Sequence, residues 1–247
     1  MRFVFRPPAG PAASLLDLPW PVPLAQWSDD RLAHPYRAPG RRTVRFISDG
    51  GRLYALKELP EPDARAEYLA LSRLGAARLP AVLAEGVAVQ REPGLDAILV
   101  TRYQPGGVPL RALLSLSGPG QPGRFGARPI PPGELLDSLA ALLARLHAAG
   151  IDWPACGLSS ALAQRTPRGL VSCVLTAGRG LARHCGGLDA EARRVAVRRA
   201  TNVAGVELLD LEHRGELRAG IDPVALASEF PRRYERAAEP RPLVKTR

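Results

Sequence analysis

Hydrophobic and polar residues alternate with a period of two between residues 43 and 59, a pattern typical of half-buried β-strands. TVRFISD and RLYALKEL carry this pattern, and two more predicted strands, AVLAEGVAVQ and LDAILVTRY, follow further along the chain. Asp49-Gly50 separates the first two and predicts a hairpin turn, since such turns need residues that adopt positive φ. Glu92-Pro93-Gly94 predicts a turn between the last two. The sequence thus predicts a small sheet of five strands with one helix.

A helical period replaces this alternation in one segment of the sheet-rich half and dominates the second half. EPDARAEYLALSRLG at 61–75 has apolar residues at helical spacing, with Pro62 in the first turn and Gly75 as a stop. ELLDSLAALLARLHAAG at 134–150 has a continuous apolar face. Further along the chain the pattern predicts two short strands within 151–176, then helices over 188–215 and 222–237, the last capped by Asp222.

These elements predict an α+β protein, in which a small antiparallel sheet with one helix precedes a mainly helical half. The predicted parts are an N-terminal extended segment 1–42, a sheet-plus-helix region 43–106, a flexible Gly/Pro-rich loop 107–133, a helical region 134–238 and a tail 239–247. In the first part, Trp20 and Trp27 are predicted to anchor the extended segment in a core.

The charge is strongly basic, because 34 Lys and Arg residues outnumber 24 Asp and Glu residues and give a formal net charge of +10. Such a balance favours anionic partners. Only two of the 34 basic residues, Lys57 and Lys245, are lysines. The arginine bias makes Lys57 informative, because it stands in the middle of an apolar strand segment where a compact ammonium differs in function from a guanidinium.

The sequence shows neither a secretion signal nor a membrane span. Arg2, Arg6 and several prolines interrupt the N-terminal residues, and the apolar helix at 135–149 is short and carries charges. We therefore expect a cytoplasmic protein with no transmembrane segment. The three cysteines have no CxxC spacing, which favours free thiols over a metal site; they are Cys156, Cys173 and Cys185.

A lysine on a strand and a glutamate on the following helix form a known arrangement for nucleotide phosphates. The ammonium contacts the α- and β-phosphate oxygens, and the carboxylate holds the ammonium in place. Lys57 and Glu67 have this spacing. An exposed lysine–glutamate pair on the surface would have the same spacing in the sequence. The interpretation as a nucleotide site therefore needs support from a second motif.

That second motif is the segment LHAAGIDWPACGLSS at 146–160. It keeps the frame of the kinase-type pattern LH-x2-G-x2-H-G-D-x4-N, but Ala155 stands at the Asp position and Ser160 at the Asn position. A short apolar strand that should end in a metal-binding Asp ends here in Thr176.

With these segments the chain resembles the bacterial lipopolysaccharide-kinase-like (Kdo/WaaP-type) family. The similar stretches are LLDLPWPVPLAQW, VRFISDGGRLYALKELP, ARAEYLAL, AILVTRY, RLHAAG, TNVAGVELLDL and IDPVALASEF. The resemblance implies a protein-kinase-like two-lobed fold. It also implies that Lys57 anchors phosphate with Glu67 as its partner, and that residues from Thr101 to Tyr103 form the hinge beside adenine. Arg41 and Arg42 would lie in the loop over the phosphates.

The departures from the family pattern fall on the chemistry. Ala155 replaces the Asp that orients the substrate hydroxyl, and Ser160 and Thr176 replace the metal-ligating Asn and Asp. Mg²⁺ requires hard oxygen ligands, and a hydroxyl substrate requires an acceptor for its proton. The resemblance therefore implies a pseudokinase that retains ATP or ADP binding, with weak or absent Mg²⁺ dependence.

Two alternatives remain open. The first is an active small-molecule or sugar kinase with a rearranged site, in which Asp152 substitutes for the missing Asp. The second is a basic scaffold protein that binds an anionic surface, nucleic acid or an unknown protein partner through an arginine cluster in 193–199. Few aromatic residues lie among these arginines, which disfavours nucleic-acid binding by base stacking.

Overall fold

The structure, a computed structural model, describes residues 2–5, 15, 17–28, 32–37, 43–89, 96–115, 130–167 and 169–239. The chain divides into two compact units, Met1–Pro105 and Gly106–Arg247. The first is built on an antiparallel sheet and the second is mainly helical, so the predicted fold class is confirmed.

The sheet of the first unit has six antiparallel strands in the order β1-β5-β6-β4-β3-β2. They are β1 (Arg2–Phe5), β2 (Leu32–Arg37), β3 (Thr43–Asp49), β4 (Arg52–Leu59), β5 (Ala84–Val89) and β6 (Ala97–Arg102). The predicted number of five strands is wrong, because the segment 1–42 supplies both edges: β1 pairs with β5, and β2 pairs with β3. The predicted hairpin is present, with Gly50 at φ +55° and Gly51 at φ +73°.

The N-terminal segment packs on one face of this sheet. Trp20 and Trp27 are almost fully buried and meet edge to face, with their ring centroids 5.2 Å apart. The indole N–H of Trp20 donates to Leu15 O and that of Trp27 to Val22 O, both at 2.8 Å. Because both indoles bury their apolar rings and satisfy their N–H groups, they act as the predicted anchors.

The other face carries helix α1 (Glu61–Ala76), which packs on β4, β5 and β6. Its buried residues recur at helical spacing and are Ala64, Glu67, Tyr68, Ala70, Leu71 and Leu74. Pro62 stands in the first turn as predicted, where its missing N–H costs no intrahelical hydrogen bond.

The second unit contains five helices and five short strands among the described residues. They are β7 (Val108–Pro109), α2 (Leu110–Leu114), α3 (Pro132–Ala148), β8 (Ile151–Asp152), β9 (Ala161–Thr166), β10 (Gly169–Val174), β11 (Ala182–Arg183), α4 (Ala190–His213), α5 (Pro223–Ser228) and α6 (Phe230–Ala238). The predicted loop 107–133 is wrong at its start, since β7 and α2 fall within it. Helix α2 forms there because Leu110, Leu113 and Leu114 share a buried face. Residues 116–129 and the tail beyond residue 239 lie outside the described part.

Helix α3 is the apolar helix that the sequence predicts, and it ends just before Gly150. This glycine has φ +75°, and a Cβ there would lie 2.7 Å from the backbone oxygen of His184. Only glycine fits this conformation and this close approach. No helix in the described part of the chain combines the length and the apolar content that a membrane span requires.

The segment 222–237, predicted as helical, forms two helices instead of one. Asp222 caps α5 as expected, since its carboxylate accepts hydrogen bonds from the N–H groups of Val224 and Ala225, both at 2.9 Å. Pro231 stands in the first turn of α6, and proline is incompatible with the interior of a continuous helix. The break therefore falls just before this proline.

Candidate functional site

Lys57 stands on the central strand β4, where it pairs with Val44 on β3 and Leu99 on β6. Side chains of a strand alternate between its faces. Tyr54 and Leu56 belong to the tryptophan-containing core. Lys57 therefore points to the opposite face, on which α1 packs.

Glu67 is directed to the same face of the sheet. It lies on the buried stripe of α1, between Ala64 and Leu71, and is only 4% exposed. A carboxylate is rarely buried to this degree without a cationic or hydrogen-bonding purpose. The fold thus brings the predicted lysine and glutamate to one side of one sheet.

Around Lys57 this face is mostly apolar and half-buried. Phe46 pairs with Ala55, and Ala55 pairs with Thr101, so all three share the face of Lys57. Phe46 also meets Tyr103 edge to face, with ring centroids 5.5 Å apart. We call this surface the Lys57 face; an apolar, aromatic floor beside an ammonium suits a planar base attached to phosphates.

Backbone donors at the predicted hinge are already engaged. The N–H of Arg102 donates to Leu83 O and that of Tyr103 donates to Leu53 O, both at 2.8 Å. A nucleotide base beside Thr101–Tyr103 could therefore not accept hydrogen bonds from the N–H groups of Arg102 and Tyr103. It would contact backbone carbonyl oxygens there or the residues that follow Tyr103. The predicted phosphate-contacting residues Arg41 and Arg42 lie outside the described residues.

A buried ion pair braces the same strands and was not predicted from the sequence. Arg102 Nη2 lies 2.6 Å from Glu85 Oε1, and the Glu85 side chain is 9% exposed. Glu85 sits at a register shift, because Ala84 pairs with Thr101 while Gly86 pairs with Val100. The available signal was an acid inside the otherwise apolar strand AEGVAV.

In the second unit, the loop 153–160 meets residues 176–178, which follow β10 in the chain. The Trp153 indole N–H donates to Thr176 O at 3.2 Å, and the Thr176 N–H donates to Ser160 O at 3.1 Å. Ala155 approaches Gly178 so closely that a Cβ at 178 would lie 2.7 Å from the Ala155 Cβ. Ala155, Ser160 and Thr176, the three positions singled out in the sequence, therefore lie in one part of the second unit.

The side chains at these positions are poor ligands for a magnesium ion, and none of them is a carboxylate that could accept a proton from a substrate hydroxyl. Ala155 has no polar group, and the hydroxyl groups of Ser160 and Thr176 are neutral. Mg²⁺ sites in nucleotide-dependent enzymes rely on one or two carboxylates. Within the described ranges, His, Cys, Asp and Glu side chains form no group of three that could hold a metal.

Asp152, the suggested surrogate, is engaged elsewhere. Its Oδ1 lies 2.5 Å from Nη2 of Arg199 on α4, and the Asp152 side chain is 22% exposed. The ion pair directs this carboxylate towards α4. This pairing does not favour Asp152 as a replacement for the missing acid at position 155.

The loop is held to helix α4 by a glutamate that sequence reasoning missed. One oxygen of Glu207 accepts from the Leu158 N–H at 2.5 Å, and the other accepts from the Ser159 N–H at 3.0 Å. A Cβ on Gly157 would lie 2.6 Å from Val203 Cγ1 and 2.8 Å from Glu207 Oε2. The absence of a side chain at 157 therefore permits the close approach of loop and helix.

Arg111 of α2 completes this attachment. Its N–H donates to Leu158 O at 3.1 Å, and its Nη1 donates to Glu207 O at 3.2 Å. Its Nη2 pairs with Asp210, and hydrogen bonds from Arg111 and then Arg214 lower the pKa of that carboxyl. We call Glu207, Arg111 and Asp210 the loop clamp.

Two titratable groups near the loop are inert at neutral pH. Burial lowers the pKa of His147 to about 4, so its imidazole is neutral, and its Nδ1 lies 2.7 Å from the Tyr234 hydroxyl. Burial also raises the pKa of Cys156, which keeps its thiol protonated and therefore a poor nucleophile. All three cysteines are free thiols.

A separate depression of about 440 Å³ lies at the C-terminal end of α3. Residues 148–150 and 183–187 line it. It contains none of the residues predicted to bind nucleotide or metal.

Of the comparisons with known proteins, only that with solved structures gives matches. No family model matches the chain, and no curated protein matches it. A solved structure titled "WaaP in complex with acyl carrier protein" is 20% identical, with a TM-score of 0.48 over 97% of this chain and 100% of that chain. The described residues of this chain form a sheet with one helix, followed by a mainly helical unit.

Proposed function

We propose that this chain is a bacterial, cytoplasmic pseudokinase of the lipopolysaccharide-kinase type, which binds ATP or ADP without transferring phosphate. One observation carries the proposal: the catalytic-loop frame is intact, while Ala155, Ser160 and Thr176 occupy its three chemical positions. A frame kept without its acids suits a structural or ligand-sensing role.

Nucleotide binding is supported by the Lys57 face. An ammonium beside a buried carboxylate holds phosphate oxygens as a fixed point charge. Phe46, Ala55 and Tyr103 offer apolar area to a base. Since the cation is supplied by Lys57, binding needs little help from Mg²⁺.

Loss of turnover is supported by the groups that are missing. A positioned general base contributes about 10²–10⁴-fold to a rate, and Ala155 supplies none. The metal clamp that neutralises developing charge in phosphoryl transfer has no carboxylate at Thr176. The ion pair between Asp152 and Arg199 argues against the alternative of a rearranged active kinase.

Thermal-shift measurements test the binding half of the proposal. ATP and ADP should each raise the Tm of the wild type, equally with and without Mg²⁺, and Lys57→Ala should abolish the shift. Arg73→Ala is the matched control, because it also removes one cation from the first unit but lies on the exposed end of α1. Absence of any shift in the wild type, or equal loss in both variants, would contradict nucleotide binding at Lys57.

An ADP-release assay tests the catalytic half. The wild type and Lys57→Ala should show the same background rate with Mg²⁺ and ATP. Metal-dependent turnover that Lys57→Ala removes would show an active kinase and would return attention to Asp152.

A further inference from the structure

The depression at the C-terminal end of α3, lined by residues 148–150 and 183–187, has no role in the proposed function. We call it the α3-end depression. Its volume of about 440 Å³ is within the range of small-molecule sites. Its two walls are joined at Gly150, because the Gly150 carbonyl accepts a hydrogen bond from the His184 N–H at 2.8 Å. The shape of the depression is therefore fixed by contacts within the second unit.

One wall is the C-terminal end of helix α3. Carbonyl oxygens at this end of a helix lack intrahelical partners and carry partial negative charge. The oxygens of Ala148 and Ala149 accept no hydrogen bond from any described residue. The two basic residues in the last turn of α3, Arg145 and His147, do not line the depression. This wall thus suits a cation or a strong hydrogen-bond donor.

The other wall carries the opposite charge. Arg183 is exposed there and forms no ion pair with a side chain in the described part of the chain. In the turn that follows, the Gly187 N–H donates to His184 O at 3.4 Å. The N–H groups of Cys185 and Gly186 have no acceptor among the described residues. A guanidinium beside backbone N–H groups suits a carboxylate, and none of the residues known to line the depression is acidic.

We propose that the α3-end depression binds a small zwitterion, an α-amino acid, with its carboxylate on Arg183 and its ammonium at the end of α3. A single arginine matches the single charge of a carboxylate better than the double charge of a phosphate. A simple anion would not use the α3 end, and a simple cation would leave Arg183 without a partner. The proposal does not depend on nucleotide binding, because no residue of the Lys57 face lines the depression.

Cys185 provides the reporter for a test on the full chain, because it is exposed and lines the depression. The other two thiols are less reactive, since Cys156 is buried and burial raises the pKa of Cys173 to about 11. A maleimide dye at neutral pH should therefore label Cys185, and peptide mass mapping verifies the position. Each proteinogenic L-amino acid is added separately at millimolar concentration. At least one should slow the labelling in a saturable manner.

Derivatives of the amino acid that protects best test the two charges of the ligand. Its N-acetyl derivative lacks the ammonium and its primary amide lacks the carboxylate, so neither should protect Cys185. If the N-acetyl derivative protects as strongly as the parent, the zwitterion is overturned in favour of a simple anion. If no amino acid slows the labelling, the proposal as a whole is overturned.

A pair of arginine variants tests the protein side. Arg183→Gln should weaken the apparent affinity about tenfold, because it removes a charge-assisted hydrogen bond to the carboxylate. Arg165→Gln, at an exposed arginine on β9, is the matched control and should bind like the wild type. Labelling rates without ligand separate a change in thiol reactivity from a change in binding. Equal protection in the wild type and both variants would contradict the role of Arg183.

Discussion

Glu67 in the first unit and Glu207 in the second show that the two units use a glutamate side chain differently. Glu67 lies on the sheet-facing stripe of α1, on the face that also carries Lys57, and is 4% exposed. Glu207 lies on α4 and accepts hydrogen bonds from two consecutive backbone N–H groups of the loop. Glu67 lies on the same side of the sheet as the Lys57 ammonium, which a ligand could contact. Glu207, in contrast, binds backbone N–H groups of the loop.

This difference separates two ways of using polar groups. In the second unit, backbone contacts shape the loop, namely the loop clamp, the Trp153–Thr176 hydrogen bond and the close approach at Gly178. No carboxylate stands at positions 155, 160 or 176. In the first unit, two charged side chains, Lys57 and Glu67, lie on one side of the sheet.

The largest expected effect is on stability, at the loop clamp. Glu207→Ala removes the acceptor of two N–H groups and should lower the free energy of unfolding by about 3 kcal/mol. Glu207→Gln keeps one oxygen acceptor and should lose about 1 kcal/mol. Urea unfolding followed by circular dichroism measures both values. If the two variants are equally stable, Glu207 does not hold the loop in this way.

An acid-dependent loss of stability should come from His147. Its pKa is lowered to about 4 in the folded protein by burial, opposed by Asp152 and assisted by Arg193 and Arg199, while the unfolded value is about 6.5. The unfolded state therefore binds more protons between these values, and stability falls as the pH drops through this window, by about 3 kcal/mol.

Urea unfolding of the wild type and His147→Gln across this pH range measures the effect. The glutamine can still hydrogen-bond the Tyr234 hydroxyl but does not titrate. A pH dependence as steep in the variant as in the wild type would assign the effect to other groups.

Two glycines in the second unit, Gly157 and Gly205, test whether the loop and α4 are in tight contact. Gly157→Ala should cost about 2 kcal/mol, because the new Cβ would be too close to Val203 and Glu207. Gly205→Ala, in the middle of α4, meets only Ala227 at an ordinary 3.5 Å and should gain up to about 1 kcal/mol of helix propensity. Thermal unfolding of both variants checks the prediction; equal effects would mean that loop and helix are not in tight contact at 157.

The smallest expected effect concerns the ligand face. Glu67→Gln should weaken ATP binding about tenfold, since it removes the negative charge proposed to hold the Lys57 ammonium in place. Glu61→Gln, in the exposed first turn of α1, should leave affinity unchanged. Isothermal titration with ATP compares the two. A similar loss in both would show a general charge effect and not a specific role for Glu67.

Much of the fold was predictable because its signals are local. Period-two alternation identified β3 and β4, turn residues separated the predicted strands that became β5 and β6, and helical spacing identified α1, α3 and α4 close to their observed ends. Local chemistry also located the Gly50 turn and the Asp222 cap. Edge strands β1 and β2 were missed, since their pairing partners are distant in sequence and their own residues carry no clear alternation.

By itself the sequence determined which side chains are available: a rare lysine on an apolar strand, a glutamate on the next helix, and no acid at 155, 160 or 176. Only the tertiary structure decided what holds them. Glu207 reaches Leu158 across 49 residues, and Arg199 engages Asp152 across 47. Such contacts leave no periodic trace in the chain, because they depend on how helices and loops pack and not on the conformation of neighbouring residues.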